Sequence, residues 1–191
     1  MIMQSIDPLS RIMSDTSSIK CTQRESYNCY TDKRYTDYQK FNSDYKFEDK
    51  AGFKLTELQV KDINQFVLWD RSLNTYEVGG GKTVVSSVVA LMRGADYKIV
   101  TALPVVITPW VKWLNKVSEH VLDYRGLPKQ RKAYDVAGSQ WIVMTHAIFR
   151  DDFDVWYPKL QGSVECIVDE AHSLKNPGSV LFRKVSKLVN T

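Results

Sequence analysis

From Leu55 onward, short apolar runs alternate with stretches of helical spacing, and that alternation confines the chain to an α/β fold. Leu55, Leu58, Ile63, Phe66 and Val67 recur at helical intervals. Thr83 to Arg93 carries Val84, Val85, Val88, Val89, Leu91 and Met92, with Gly94 placed to cap the C-terminus. Lys98 to Leu103 reads as a buried strand, and Trp110 to Val121 as a helix with Trp110, Trp113, Leu114 and Val117 on one face. Trp141 to Thr145 is a second strand and Val164 to Asp169 a third. Val180 to Val189 closes as an amphipathic helix. Strands separated by helices imply a mostly parallel sheet covered by helices on both faces.

The 191 residues suffice for one compact domain. Residues 1–50 differ from the rest: they are polar and tyrosine-rich, without a sustained apolar period, and are expected to form an extension ahead of a domain spanning 51–191. Tyr27, Tyr30, Tyr35, Tyr38 and Tyr45 would pack on that domain or, in the rival reading, stack on bases. A net charge of +4 permits nucleic-acid binding without arguing for it. Cys21, Cys29 and Cys166 have no metal-site or disulfide spacing and fit a reducing compartment. With no apolar run long enough to span a bilayer and no secretion signal, the expectation is a soluble intracellular protein, cytoplasmic or, in a eukaryote, nuclear.

Two short strings carry chemistry. In Glu77-Val78-Gly79-Gly80-Gly81-Lys82-Thr83 the glycines let backbone N–H groups approach phosphate oxygens without side chains in the way. The following helix aims its positive end at the same oxygens. Lys82 would reach the β- and γ-phosphates, and the Thr83 hydroxyl would ligate Mg2+. Tyr76 stands where the full phosphate-loop consensus has its first glycine, and the segment Ser72 to Glu77 is a weak strand to feed the loop. The other reading is a glycine turn that happens to precede Lys-Thr.

The second string is Asp169-Glu170, delivered by the apolar strand Cys166-Ile167-Val168 at the edge where open α/β sheets bind ligands. Asp169 would hold Mg2+, through water, and Glu170 would orient and deprotonate the attacking water. The alternative is an acidic pair opening a helix.

The segment from Val164 to Ser179, with Asp169-Glu170-Ala171-His172 followed by Leu174, Lys175, Asn176 and Ser179, resembles the second motif of Swi/Snf-type helicase-like ATPases of helicase superfamily two. Glu77 to Thr83 is similar to their first motif, and Leu55 to Gln59 to the segment before it. Ile99 to Trp110 resembles their third landmark, a strand, a short apolar loop and a tryptophan that opens a helix; Trp141 to Arg150 resembles the next strand, with Thr145 at its end. The resemblance runs from Leu55 to the chain end. It implies the N-terminal RecA-like P-loop lobe of an ATP- and Mg2+-dependent hydrolase that translocates on double-stranded DNA. Gln59 would read adenine, and His172 would couple the nucleotide to a partner lobe. The Leu103 to Trp110 loop and Thr145-His146 would touch one DNA strand. Trp110 itself reads as core, Gln59 otherwise as a surface glutamine and His172 as a capping histidine. The run Lys129 to Lys132 is a further basic candidate, or a solvated loop.

The sequence departs from that pattern. Tyr76 replaces an acidic residue, Gly80 a leucine and His146 a tyrosine, and Pro104 falls one position late. The second lobe, whose arginines are worth ~10³-fold or more in rate, is not within these residues. The isolated chain would therefore be weakly active or inactive, needing that lobe in cis or in trans. The rivals are an RNA helicase lobe, against which Leu174-Lys175-Asn176 argues, and a nucleotide- or DNA-binding module without efficient turnover.

Overall fold

The computed structural model describes residues 37–69, 71–77 and 79–189. Cys21, Cys29, Tyr27, Tyr30, Tyr35 and Val78 lie outside them. The elements in chain order are α1 (Tyr38–Tyr45), α2 (Phe47–Ala51), α3 (Glu57–Phe66), α4 (Lys82–Arg93), β1 (Tyr97–Ala102), α5 (Pro104–Val117), β2 (Val121–Asp123), α6 (Pro128–Lys132), β3 (Trp141–Thr145), α7 (His146–Asp151), α8 (Phe153–Trp156), β4 (Val164–Val168) and α9 (Val180–Val189). Single turns of 3₁₀ helix occupy Tyr157–Lys159 and Ala171–Leu174.

The four strands form one all-parallel sheet in the order β2-β3-β1-β4. Every residue of β1 and β3 is buried, as expected for apolar strands packed between two layers of helices. On one face Val100, Ala102, Trp141 and Val143 meet Ala90 of α4 and Ile107, Trp110 and Leu114 of α5. On the other, Ile99, Ile142 and Met144 meet Phe149, Phe153, Trp156 and Leu188 of α7, α8 and α9. The fold is thus α/β with both sheet faces covered, an arrangement consistent with a RecA-like domain. β4 is only half-buried along its length, and among the described residues it pairs with β1 alone.

Both boundaries of α5 differ from the sequence expectation. The helix expected from Trp110 to Val121 begins at Pro104 and ends at Val117. Pro104 fits the first helical turn, where its missing N–H is not needed. Pro109 lies in the interior, where it forfeits the bond to the Val105 carbonyl; Val105 is 79% exposed, so water can take that acceptor. The residues expected as an apolar loop before Trp110 are therefore the first turns of α5. The segment Ser72 to Glu77 forms no strand.

Residues on the polar side of the expected boundary at residue 50 join the same body. Tyr38, Phe41, Phe47 and Ala51 are buried with Ile63 of α3 and Val85, Val88 and Met92 of α4. The Tyr45 hydroxyl donates to the Val117 carbonyl at 2.7 Å, and Lys116 Nζ to the Ala51 carbonyl at 2.5 Å, fastening α1 and α2 to the end of α5.

Candidate functional site

Sheet topology brings the two chemical strings to one edge. α4 precedes β1 through the tight turn at Gly94 (φ 68°) and so runs back along the sheet, antiparallel to the strands. Its far end is pinned: Arg93 Nη1 pairs with Glu165 Oε1 near the start of β4 at 2.6 Å, and Nη2 donates to the Phe66 carbonyl at 3.0 Å. From Arg93 back to Lys82 the helix rises about 16 Å. From Glu165 to Asp169 the strand advances about 13 Å. The glycine loop and the acidic pair therefore lie at the same, C-terminal edge of the sheet.

Gly79 (φ 84°) and Gly81 (φ 91°) both adopt left-handed backbone, and Gly81 is the N-cap of α4. A Cβ on Gly81 would sit 2.6 Å from Gln59 Nε2, the end of a flexible side chain that can give way, so it is the φ that calls for glycine here. Lys82 Nζ donates to the Tyr76 carbonyl at 2.8 Å and lies 3.4 Å from that of Glu77. These two carbonyl oxygens are the kind of acceptor that phosphate oxygens would present. Thr83, half-buried, follows in the first turn of α4.

Gln59 has two tasks. It is the third residue of a capping box with Thr56, and its Nε2 donates to the Gly80 carbonyl at 3.1 Å. It thus stands beside the loop. Tyr76 is held from the same helix, its hydroxyl donating to Asp62 Oδ2 at 2.5 Å. Burial, with the neighbouring Asp62 carboxylate, pushes the Tyr76 phenol pKa up.

Asp169 continues the β4 ladder by donating its N–H to the Thr101 carbonyl at 2.9 Å. Its carboxylate takes two neutral donors: Trp110 Nε1 on Oδ2 at 2.8 Å and the Glu170 N–H on Oδ1 at 3.0 Å. Among the described residues no lysine, arginine or histidine forms an ion pair with it. A half-buried, unpaired carboxylate of fixed orientation fits a hard cation. No cluster of three His, Cys, Asp or Glu side chains is present among the described residues.

Glu170 is exposed and has positive φ (57°), unusual for a residue other than glycine. Its carboxylate lies 3.2 Å from His172 Nδ1 on the 3₁₀ turn that follows. Asn176 closes the next turn by accepting from the Gly178 N–H, and Ser179 Oγ accepts from the Phe182 N–H at the start of α9. Residues carried by the resemblance thus also serve as local turn and cap formers.

The Thr145 hydroxyl caps α7 through the Ile148 N–H. His146 Nδ1 lies 2.8 Å from Thr101 Oγ1, while its Nε2 is buried without a hydrogen-bond partner. Burial lowers the His146 pKa below its ordinary value, against the opposing pull of Asp169. The run Lys129 to Lys132 is a short helix rather than a loop, and Arg131 is buried in it, bound through both Nε and Nη2 to Asp152. That residue is committed to structure. Burial and the adjoining Glu165 push the Cys166 thiol up to about 12, leaving it inert as a nucleophile.

The indole bond from Trp110 to Asp169 and the phenol bond from Tyr76 to Asp62 are the features that local sequence reasoning does not reach. Each joins segments that are separate in the chain. The closest signal is that Tyr76 interrupts the phosphate-loop consensus. No protein-family model matches the chain, and no curated protein matches it in sequence. Among the described residues no helix is long and apolar enough to cross a membrane.

Proposed function

We propose that the chain is the ATP-binding lobe of a DNA-dependent ATPase of the Swi/Snf helicase-like type, completed by a second RecA-like lobe. The observation that carries this reading is the shared sheet edge. A glycine loop opening α4 and an Asp-Glu pair ending β4 lie together there, held in register by the Arg93–Glu165 pair at the opposite end. Each component does what phosphoryl transfer requires. Gly79 to Gly81 offer backbone N–H groups, and Lys82 exchanges the Tyr76 and Glu77 carbonyls for phosphate oxygens. Thr83 and Asp169 would hold Mg2+, which would supply charge neutralisation for phosphoryl transfer. Glu170, exposed at the end of the strand, accepts a proton from water. Gln59, which abuts the loop from α3, would read the base. Near the acidic pair, Leu103, Pro104, Thr145, His146, Arg150 and Leu181 line a groove of about 310 Å³ at the N-terminal end of α5. The N-terminal end of α5 at this groove would suit a DNA phosphate, while Arg150, on its lining, is paired through Nε and Nη2 with Asp151.

Nucleotide binding and turnover test the reading. ATP with Mg2+ should bind the isolated chain and be hydrolysed slowly. Lys82→Ala should abolish binding, and Glu170→Gln should keep binding while removing the residual turnover. With the second lobe supplied, duplex DNA should stimulate hydrolysis more than structured RNA does. Binding of ATP unaffected by Lys82→Ala would overturn the assignment of the loop.

A further inference from the structure

Four tryptophans of the described core have indole N–H groups whose surroundings can be compared. Trp113 donates to Ser87 Oγ at 3.0 Å and Trp141 to Ser118 Oγ at 3.0 Å, both neutral hydroxyls. Trp156 is fully buried with its indole N–H unpartnered, so this core tolerates a tryptophan that serves as packing alone. Trp110 is different. It is 3% exposed, and its N–H crosses from α5 to the end of β4 to meet a carboxylate, Asp169 Oδ2, at 2.8 Å.

The bond fixes more than one atom. Asp169 Oδ1 is already held by the Glu170 N–H, so the two donors together set the rotation of the carboxyl plane. Both donors are neutral and each uses one lone pair, which leaves the outward lone pairs and the full negative charge for another ligand. Trp110 is itself anchored by Ile107, Leu114, Val100 and Val143 in the same core cluster. The orientation of the carboxylate is thereby referred to the rigid centre of the sheet.

We infer that Trp110 is a positioning residue for the metal-holding carboxylate: its indole N–H orients Asp169 so that Mg2+ enters the ATP site at low concentration. The inference rests on the reading of Asp169 given above. Outer partners of a metal ligand typically change metal affinity by about 10–100-fold when removed. Trp110→Phe keeps the ring in the core and deletes only the donor.

The test measures ATP binding by wild type, Trp110→Phe and Lys82→Ala in EDTA and across a Mg2+ titration. Trp110→Phe should bind ATP like wild type in EDTA but need about 10–100-fold more Mg2+ for half its effect. A loss of packing alone would instead weaken binding equally at every Mg2+ concentration. A wild-type Mg2+ requirement, or an equal weakening throughout, overturns the inference. Neither result touches the nucleotide site, whose failure would show as Lys82→Ala binding ATP like wild type. Should Trp110→Phe not fold, indole N–H exchange in the Asp169→Ala protein decides. One indole proton should exchange faster than in wild type; five unchanged indole signals would overturn the inference.

Discussion

Glu170 holds a left-handed backbone conformation (φ 57°, ψ 62°) that costs an L-residue about 1–2 kcal/mol. Such strain persists where surrounding structure imposes it, and here it stands at the step where the sheet delivers its acidic pair. Glycine would relieve it, at the cost of up to about 1 kcal/mol of extra chain entropy. Glu170→Gly should therefore raise thermal stability slightly, by no more than about 1 kcal/mol, while eliminating ATP turnover. A loss of stability on calorimetry would show that the Glu170 side chain contributes more than its conformation costs. At this scale the strings Gly79 to Thr83 and Asp169-Glu170 were legible because each is contiguous and its chemistry local. The partners that aim them were not. Trp110 and Asp169 are 59 residues apart, and only the parallel pairing of β1 with β4 makes them neighbours.

Helix α4 and strand β4 are aligned by one buried ion pair, Arg93–Glu165, whose side chains are 7% and 18% exposed. Removing one partner leaves a buried charge uncompensated and typically costs about 3–5 kcal/mol, whereas replacing both with apolar residues is often neutral. Arg93→Met should lower the urea midpoint markedly, and Arg93→Met with Glu165→Leu should recover most of it. No recovery in the double variant would mean that the Arg93 bond to the Phe66 carbonyl dominates. Elements with strong apolar periods, α4, β1, β3, β4 and α9, could be placed from sequence because their pattern repeats over several turns or fills a whole strand. The start of α5 is masked in the sequence: Pro109-Trp110 has the look of a helix start, while the true start, Pro104, follows a strand with no intervening polar turn. The pattern of α1 is weak because its surroundings are polar, although Tyr38, Phe41 and Tyr45 have helical spacing and end up against the core.

Across the whole molecule the sheet has two unlike margins. On one side β2 is three residues long, a short strand that offers little to a neighbour. On the other, β4 is five residues, apolar but for Glu165, and bonded among the described residues only toward β1. The Asp169 N–H donates to Thr101 and the Tyr97 N–H to the Ser163 carbonyl. Because a parallel ladder alternates, the N–H groups of Cys166 and Val168 point away from β1. Deuterium uptake should accordingly be striped along this strand, with slow amides at Glu165, Ile167 and Asp169 and fast ones at Cys166 and Val168. Uniform protection would mean that a further strand already occupies the margin. The same stripe, followed as protein concentration rises, is a gauge of self-association: a second chain docking edge to edge would slow the fast amides first, well before turbidity appeared.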